Sequence, residues 1–239
     1  MPHPNARYQV ETLNARVVFC LWTGGNPMSI NRIQALFSIF NNISCPVAYL
    51  TQGTIQNWEL PEAPFHPSFQ YLSETHKSDY LRVYLMHHYG GGYTDVKHTS
   101  QAWGQHFDSL IQSDMLCAGY TEVSPNSVAK VGGELEQVLK DHYQSLIGLC
   151  AFIFKPHTPL TREWLKRTHD LLDQKMSDLS KHPASFPQDQ LGALLPDGQV
   201  SQYPLQWTEM LGNIFHPLIL EYKQFVLHLP LSPDFRPYR

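Results

Sequence analysis

Asp79, Arg82 and Asp95 are the residues of this 239-residue chain whose types and spacing most readily do chemistry. Asp79 and Arg82 stand three positions apart, which on a helix places both side chains on one face. Tyr89, three glycines (Gly90 to Gly92) and Tyr93 separate them from Asp95, and Lys97 follows two residues later. If the chain reverses through the glycines, Asp95 returns beside that helix. Two carboxylates and a guanidinium then converge where the backbone carries no side chains. A polyhydroxylated, phosphorylated ligand needs this mixture: carboxylates for sugar hydroxyls or a metal, and arginine for an oxyanion. Glycine lets such a ligand approach the main chain closely. A plainer account makes Gly90 a left-handed helix cap, Gly91 and Gly92 a longer turn, and Asp95 a solvated loop carboxylate.

The surrounding pattern must position these groups. "ARVVFCLW" (15–22) is a continuous apolar run closed by "TGGNP", the signature of a buried strand and a glycine turn. "SINRIQALFSIFNN" places Ile30, Ile33, Phe37 and Phe40 at helical spacing, with Ser29 as N-cap. "CPVAYLT" (45–51) reads as a second strand, so the chain opens as a parallel α/β unit. A proline- and aromatic-rich connection (52–72) leads into a helix over 75–89, with Leu81, Tyr84, Leu85 and His88 along one face. Further strands are expected at 114–120 and 148–156. An amphipathic helix over 160–176 turns Trp164, Leu165, Thr168, Leu171 and Leu172 inward. "PQDQLGALL" reads as the start of another helix, with Asp189 in its first turn, and "LPLSPDFRPYR" as a proline-rich tail.

Composition excludes several classes. With 42% hydrophobic and 16% charged residues the chain is that of a globular protein. A net charge of -4 and no basic run argue against a nucleic-acid partner. No apolar stretch reaches transmembrane length, and "MPHPNARYQV" lacks the core of a signal peptide. Cys20, Cys45, Cys117 and Cys150 are far apart, as single thiols in a reducing, cytoplasmic compartment would be. His87 and His88 are adjacent and face different directions, without the HExxH spacing of a zinc site.

The segment "KSDYLRVYLMHHYGGGYTDVK" resembles the hallmark of glycosyltransferases with a DXD-containing sugar-binding region, the group that includes initiation mannosyltransferases, capsular-polysaccharide synthesis proteins and clostridial toxin catalytic domains. Ser78, Asp79, Arg82, Tyr89, Gly90, Gly91, Tyr93 and Asp95 match its S-D-x-x-R and Y-G-G-x-Y-x-D elements. The resemblance implies a GT-A fold, one Rossmann-like α/β domain over residues 1–230. Residues 231–239 would then be a tail or a linker to a further domain. It implies a nucleotide-sugar donor, a UDP-hexose with galactose as the first candidate, and a glycan or polysaccharide acceptor. Transfer would retain anomeric configuration, the leaving phosphate accepting the acceptor's proton.

By the same resemblance Asp79 and Arg82 hold hydroxyls of the donor sugar, and Asp95 contacts the sugar or ribose and a Mn²⁺ or Mg²⁺ ion. Trp22 and Thr23 lie by the nucleotide, Trp22 having also the role of a core aromatic at a strand end. Asp189 faces the acceptor or sugar, or is an ordinary helix N-terminal charge, and Trp207 and His216 close over the diphosphate. The departure from the pattern is Lys97, which stands where the second DXD aspartate belongs. Three outcomes are open. The metal binds between Asp95, the diphosphate and His216; the Lys97 ammonium neutralises the diphosphate itself; or the domain is a silent carbohydrate-binding or scaffolding module.

Overall fold

Strand β1 (Val18–Trp22) is apolar at every position because both of its faces are covered. Phe19 and Leu21 enter one core cluster, with Tyr80, Leu81, Trp164 and Phe215. Val18 and Cys20 enter a second, with Ala35, Ile39, Trp103 and Phe107. The computed structural model describes residues 16–195 and 197–236. Ala15 of the first strand segment and residues 237–239 of the tail lie outside them.

Helix α1 (Ile30–Asn42) follows, with the Ser29 hydroxyl accepting from the Arg32 amide as an N-cap, and leads to β2 (Val47–Thr51), parallel to β1. The apolar stripe read from the sequence is not the face that packs. Ile30 and Phe37 are more than 60% exposed and Phe40 49%, whereas Ala35, Ser38 and Ile39 are buried. Small residues let the helix lie close on the sheet; periodicity marks an apolar stripe without saying which stripe meets it. Two 3₁₀ turns (Ile55–Trp58 and Pro67–Tyr71) span the proline-rich connection.

Helix α2 (Glu74–His88) is buried on most of its circumference, from His76 and Asp79 to Leu85 and Met86. It lies between the sheet and helix α5 (Pro159–Lys181), which Thr158 caps and Pro159 begins. Strand β3 (Gly91–Thr94) starts at the second glycine of the triplet, so that only Gly90 is a turn residue. Gly90 has φ +65° and Gly91 φ +88°, the region that favours glycine. Gly92 is required by packing instead: a Cβ there would stand 2.7 Å from the Trp103 ring.

Helix α3 (Gly104–Ile111) leads into β4 (Cys117–Thr121), and α4 (Gly133–Asp141) into β5 (Ile147–Phe154). Helix α6 (Gly212–Glu221) and β6 (Val226–His228) follow α5. Sheet order is β2-β1-β3-β5-β4-β6. The parallel reading of its first unit holds, but β5 runs antiparallel to both β3 and β4, which makes the sheet mixed. Helices cover both faces, the α/β Rossmann-like layering expected of a GT-A domain.

The helix expected after Pro187 does not form. Residues 183–195 are turns and bends, Gly192 has φ +77°, and Leu194 pairs with Val200 in an isolated bridge. A left-handed glycine three residues after Asp189 stops helical propagation that the acidic start would otherwise favour. Beyond β6, Leu231 is buried in the second core cluster, and the Asp234 amide donates to the His98 carbonyl at 2.8 Å. Among the described residues no helix is long and apolar enough to cross a membrane.

Candidate active site

Residues 94 and 95 leave β3 beside β5, and the Asp95 amide donates to the Cys150 carbonyl at 2.8 Å. This pairing aims the Asp95 side chain at α2, where Arg82 waits. Arg82 Nη2 lies 3.1 Å from Asp95 Oδ1 and 3.8 Å from Asp79 Oδ1, while its Nη1 donates to the Leu149 carbonyl at 3.3 Å. The guanidinium stacks over the Tyr93 ring, 4.5 Å from its centroid, and the Tyr93 hydroxyl donates to Asp95 Oδ1 at 2.7 Å. Lys97 Nζ donates to Asp95 Oδ2 at 2.6 Å and to Cys150 Sγ at 2.8 Å. Asp79, Arg82, Asp95 and Lys97 thus form one contiguous cluster, their side chains between 6% and 19% exposed.

Burial acts on Asp95, Lys97 and Asp79 with opposite results. For Asp95 it pushes the pKa up, but the Lys97 and Arg82 charges and the hydrogen bonds from Lys97 and Tyr93 outweigh it. The carboxyl is held well below the usual carboxylate range. Lys97 likewise stays protonated, Asp95 outweighing the burial that would discharge it. Asp79 is different. Burial raises its pKa to about 7, Arg82 opposes, and the Asp95 charge adds to the rise. Asp79 is therefore the group of the cluster that changes charge near neutral pH.

The remaining candidates divide. The Thr23 hydroxyl donates to the Glu74 carbonyl at 2.6 Å, tying the end of β1 to the start of α2, and Trp22 Nε1 donates to the Asn26 carbonyl at 2.9 Å. Asp189 is fully buried, its Oδ2 accepting from the Ser185 amide and hydroxyl at 2.9 and 3.0 Å, and its Oδ1 has no hydrogen-bond partner. Trp207 is 41% exposed and lines a cleft of about 570 Å³ with Val128, Lys130, Gln190, Gln206 and Thr208. His216 is wholly buried, its Nδ1 accepting from the Ala129 amide at 2.8 Å and its Nε2 lying 3.8 Å from Glu122.

This geometry is a poor fit to a divalent cation. Both Asp95 oxygens are engaged, by Tyr93 and Arg82 on one side and Lys97 on the other. Because Nδ1 of His216 accepts a backbone hydrogen bond, the ring proton of the neutral imidazole sits on Nε2, and neither nitrogen offers a free lone pair. Among the described residues no group of three His, Cys, Asp or Glu side chains is placed to hold a metal. A cation with several oxygen ligands would have to displace Lys97 first.

Three contributors have no counterpart in the sequence reading. Cys150 there is a lone thiol, yet it holds the lysine. Tyr93 belongs to the motif without a role of its own, yet it supports both Arg82 and Asp95. Phe235, in the tail, has its ring 5.5 Å from Lys97 Nζ and 6.0 Å from the Tyr120 ring. No local pattern singles it out, since the tail also holds Leu229, Leu231 and Tyr238.

No family model matches the chain, and no curated protein matches it. Four chains of solved structures match, among them the PaToxG glycosyltransferase. It is 12% identical to this chain, covers 73% of it and 69% of its own length, and superposes with a TM-score of 0.41. A likeness of that size carries no argument about activity.

Proposed function

We propose that the chain is a nucleotide-sugar-dependent glycosyltransferase in which the Lys97 ammonium stands in for the divalent cation. The observation carrying this reading is the convergence of Asp79, Arg82, Asp95 and Lys97 from two separate segments onto one point at the end of β3. Departure of a nucleoside diphosphate leaves negative charge on phosphate and positive character on the sugar. Lys97 and Arg82 suit the first, Asp79 and Asp95 the second and the sugar hydroxyls. Trp22 and Thr23, at the C-terminal end of β1, lie where nucleotides bind in open α/β sheets. The donor is a UDP-hexose, galactose coming first in a screen, and transfer proceeds with retention.

A second reading has its own support. Asp95 is saturated by internal partners, as it would be in a silent carbohydrate-binding module whose second aspartate had become lysine. Donor turnover assayed across UDP- and GDP-sugars, with Mn²⁺ and then with EDTA, separates the two. Turnover that survives EDTA is expected. Silence with every donor, alongside binding of glycan by calorimetry, would favour the module. Lys97→Asp sharpens the test: the variant should require Mn²⁺, and continued indifference to EDTA would remove Lys97 from the role given to it. NMR of the first-formed product decides the stereochemistry, an inverted anomer ruling out retention.

A further inference from the structure

A run of close approaches leads from the charge cluster toward the Trp207 cleft, crossing at Gly212, where the distances are to the place a Cβ would take. From Lys97 the run passes to Asp95 (2.6 Å), then Arg82 (3.1 Å), then the Leu149 carbonyl (3.3 Å). Leu149 Cδ1 lies 3.7 Å from the position a Cβ on Gly212 would take, and that position is 3.6 Å from Thr208 Cβ and 3.2 Å from Ala129 Cβ. Thr208 lines the cleft, and Ala129 sits between two lining residues, Val128 and Lys130. A second route arrives from α2. His76, one turn before Asp79, bonds the Gln206 carbonyl at 3.0 Å through Nε2 and the Tyr203 hydroxyl at 2.9 Å through Nδ1. The cleft is therefore approached from the Asp79 and Arg82 side of the cluster, although none of its lining residues belongs to the cluster.

Its lining has a definite chemistry. Trp207 offers a half-exposed aromatic face, Gln190 and Gln206 are amides able both to donate and to accept, Thr208 has a hydroxyl, and Lys130 carries the charge. The volume of about 570 Å³ suits two or three small rings. Amides and a hydroxyl around an aromatic plate recognise a polyhydroxylated ring by its edge and its apolar face together. Lys130, whose charge also reaches Glu136, is the one charged group among lining residues that include no carboxylate, and it favours an anionic substituent.

We infer that this cleft is the subsite for the acceptor, and that the acceptor is a carbohydrate bearing an anionic group held by Lys130. The word acceptor rests on the transferase reading; the class of ligand rests on the lining alone. Trp207 then stacks on the acceptor sugar rather than closing over the donor diphosphate, which belongs at Lys97.

The test uses the full chain on a printed array of uronate-, sialate- and phosphate-bearing glycans beside their neutral parents, without nucleotide. Acidic glycans should be retained at least tenfold more strongly than their parents, Trp207→Ala should abolish retention, and Lys130→Ala should bring acidic and neutral forms within about threefold. Trp207→Phe should recover binding, which separates loss of the plate from loss of fold. Absence of retained glycans, equal retention of acidic and neutral forms, or undiminished binding by Trp207→Ala would each overturn the inference. In parallel, the ¹⁵N-indole signals of Trp22 and Trp207 are followed as UDP, and separately GDP, is added. Movement of Trp22 alone is expected. Movement of Trp207 with either nucleotide would make the cleft a donor pocket and overturn the inference while leaving the transferase reading intact. Glycan retention with neither indole responding to nucleotide would instead tell against that reading and leave the ligand class standing.

Discussion

Among its ionisable groups, helix α2 carries one set at its middle and another at its C-terminal end, and the fold treats these two in opposite ways. On its Asp79 and Arg82 face, burial is met with opposite charge: Asp95 and Lys97 stay ionised because each is the other's partner at 2.6 Å. At its C-terminal end, His87 and His88 meet His157, with ring centroids 4.7 to 6.1 Å apart, and burial is met by neutralising the groups. His169, on α5, stacks on Tyr80 and faces His66, which pairs with Asp173. Burial, helped by the neighbouring imidazoles, lowers His87 and His88 to about 4, with Arg162 adding to the first and Glu62 opposing at the second. A buried group keeps its charge where geometry supplies a counter-charge, and loses it where neighbours share its sign. The first arrangement suits binding of a charged ligand; the second is a seam whose integrity depends on pH.

The largest expected effect comes from removing the shared partner. Asp95→Ala leaves Lys97 and Arg82 buried without their carboxylate and should cost about 3–5 kcal/mol in urea unfolding at pH 7. A loss below about 1 kcal/mol would mean that the pairing is not maintained in solution. Asp79→Asn should act the other way on stability. The folded-state pKa of about 7 stands above the ordinary 3.8, so the stability tied to protonated Asp79 is full below 3.8 and is lost as pH rises toward 7. Asparagine avoids that loss, and the variant should gain about 2 kcal/mol at pH 8 while losing donor turnover. Reduced stability with unchanged turnover would place Asp79 among structural residues.

The histidine seam should respond to pH with the opposite sign. His87 and His88 have folded-state values below the ordinary 6.5, so their contribution is complete above 6.5 and is lost as pH falls toward 4. Both are partly exposed, and solvent screening reduces the effect to about 1 kcal/mol between pH 7 and 5. The pair His87→Gln, His88→Gln should flatten that part of the profile and leave the Asp79 response untouched. The smallest effect belongs to His157, at φ +56° with its amide donating to the His87 carbonyl. His157→Gly should change stability at pH 7 by no more than about 0.5 kcal/mol, since histidine tolerates that region, while shrinking the acid response. Thermal melts across the same pH range measure both.

Much of the site was legible because its determinants are local. Asp79 and Arg82 share a helical face by spacing, and Gly90 can hold a left-handed turn that few other residues can. β1, β2, β4 and β5 could be read from runs of apolar residues, and α5 from its amphipathic spacing. The failures have physical causes too. The buried face of α1 could not be picked from the pattern, because four large apolar side chains outweigh Ala35 and Ser38 there, although small residues are what close packing selects. The helix after Pro187 was expected from its acidic start, and Gly192 stops it. Gly92 looked like part of a turn because its need, room for Trp103, comes from a residue eleven positions away.

By itself the sequence determined the helix bearing Asp79 and Arg82, the return of the chain at Gly90 and the nearness of Lys97 to Asp95. Those follow from neighbours along the chain, through dihedral limits and helical spacing. Only the tertiary structure decided what Lys97 does. Its ammonium is held by Asp95, two residues away, and by Cys150 from an antiparallel strand, beneath Phe235 from the tail. Which strand lies beside β3 depends on the free energy of the whole sheet and core, and no local pattern near Lys97 encodes it.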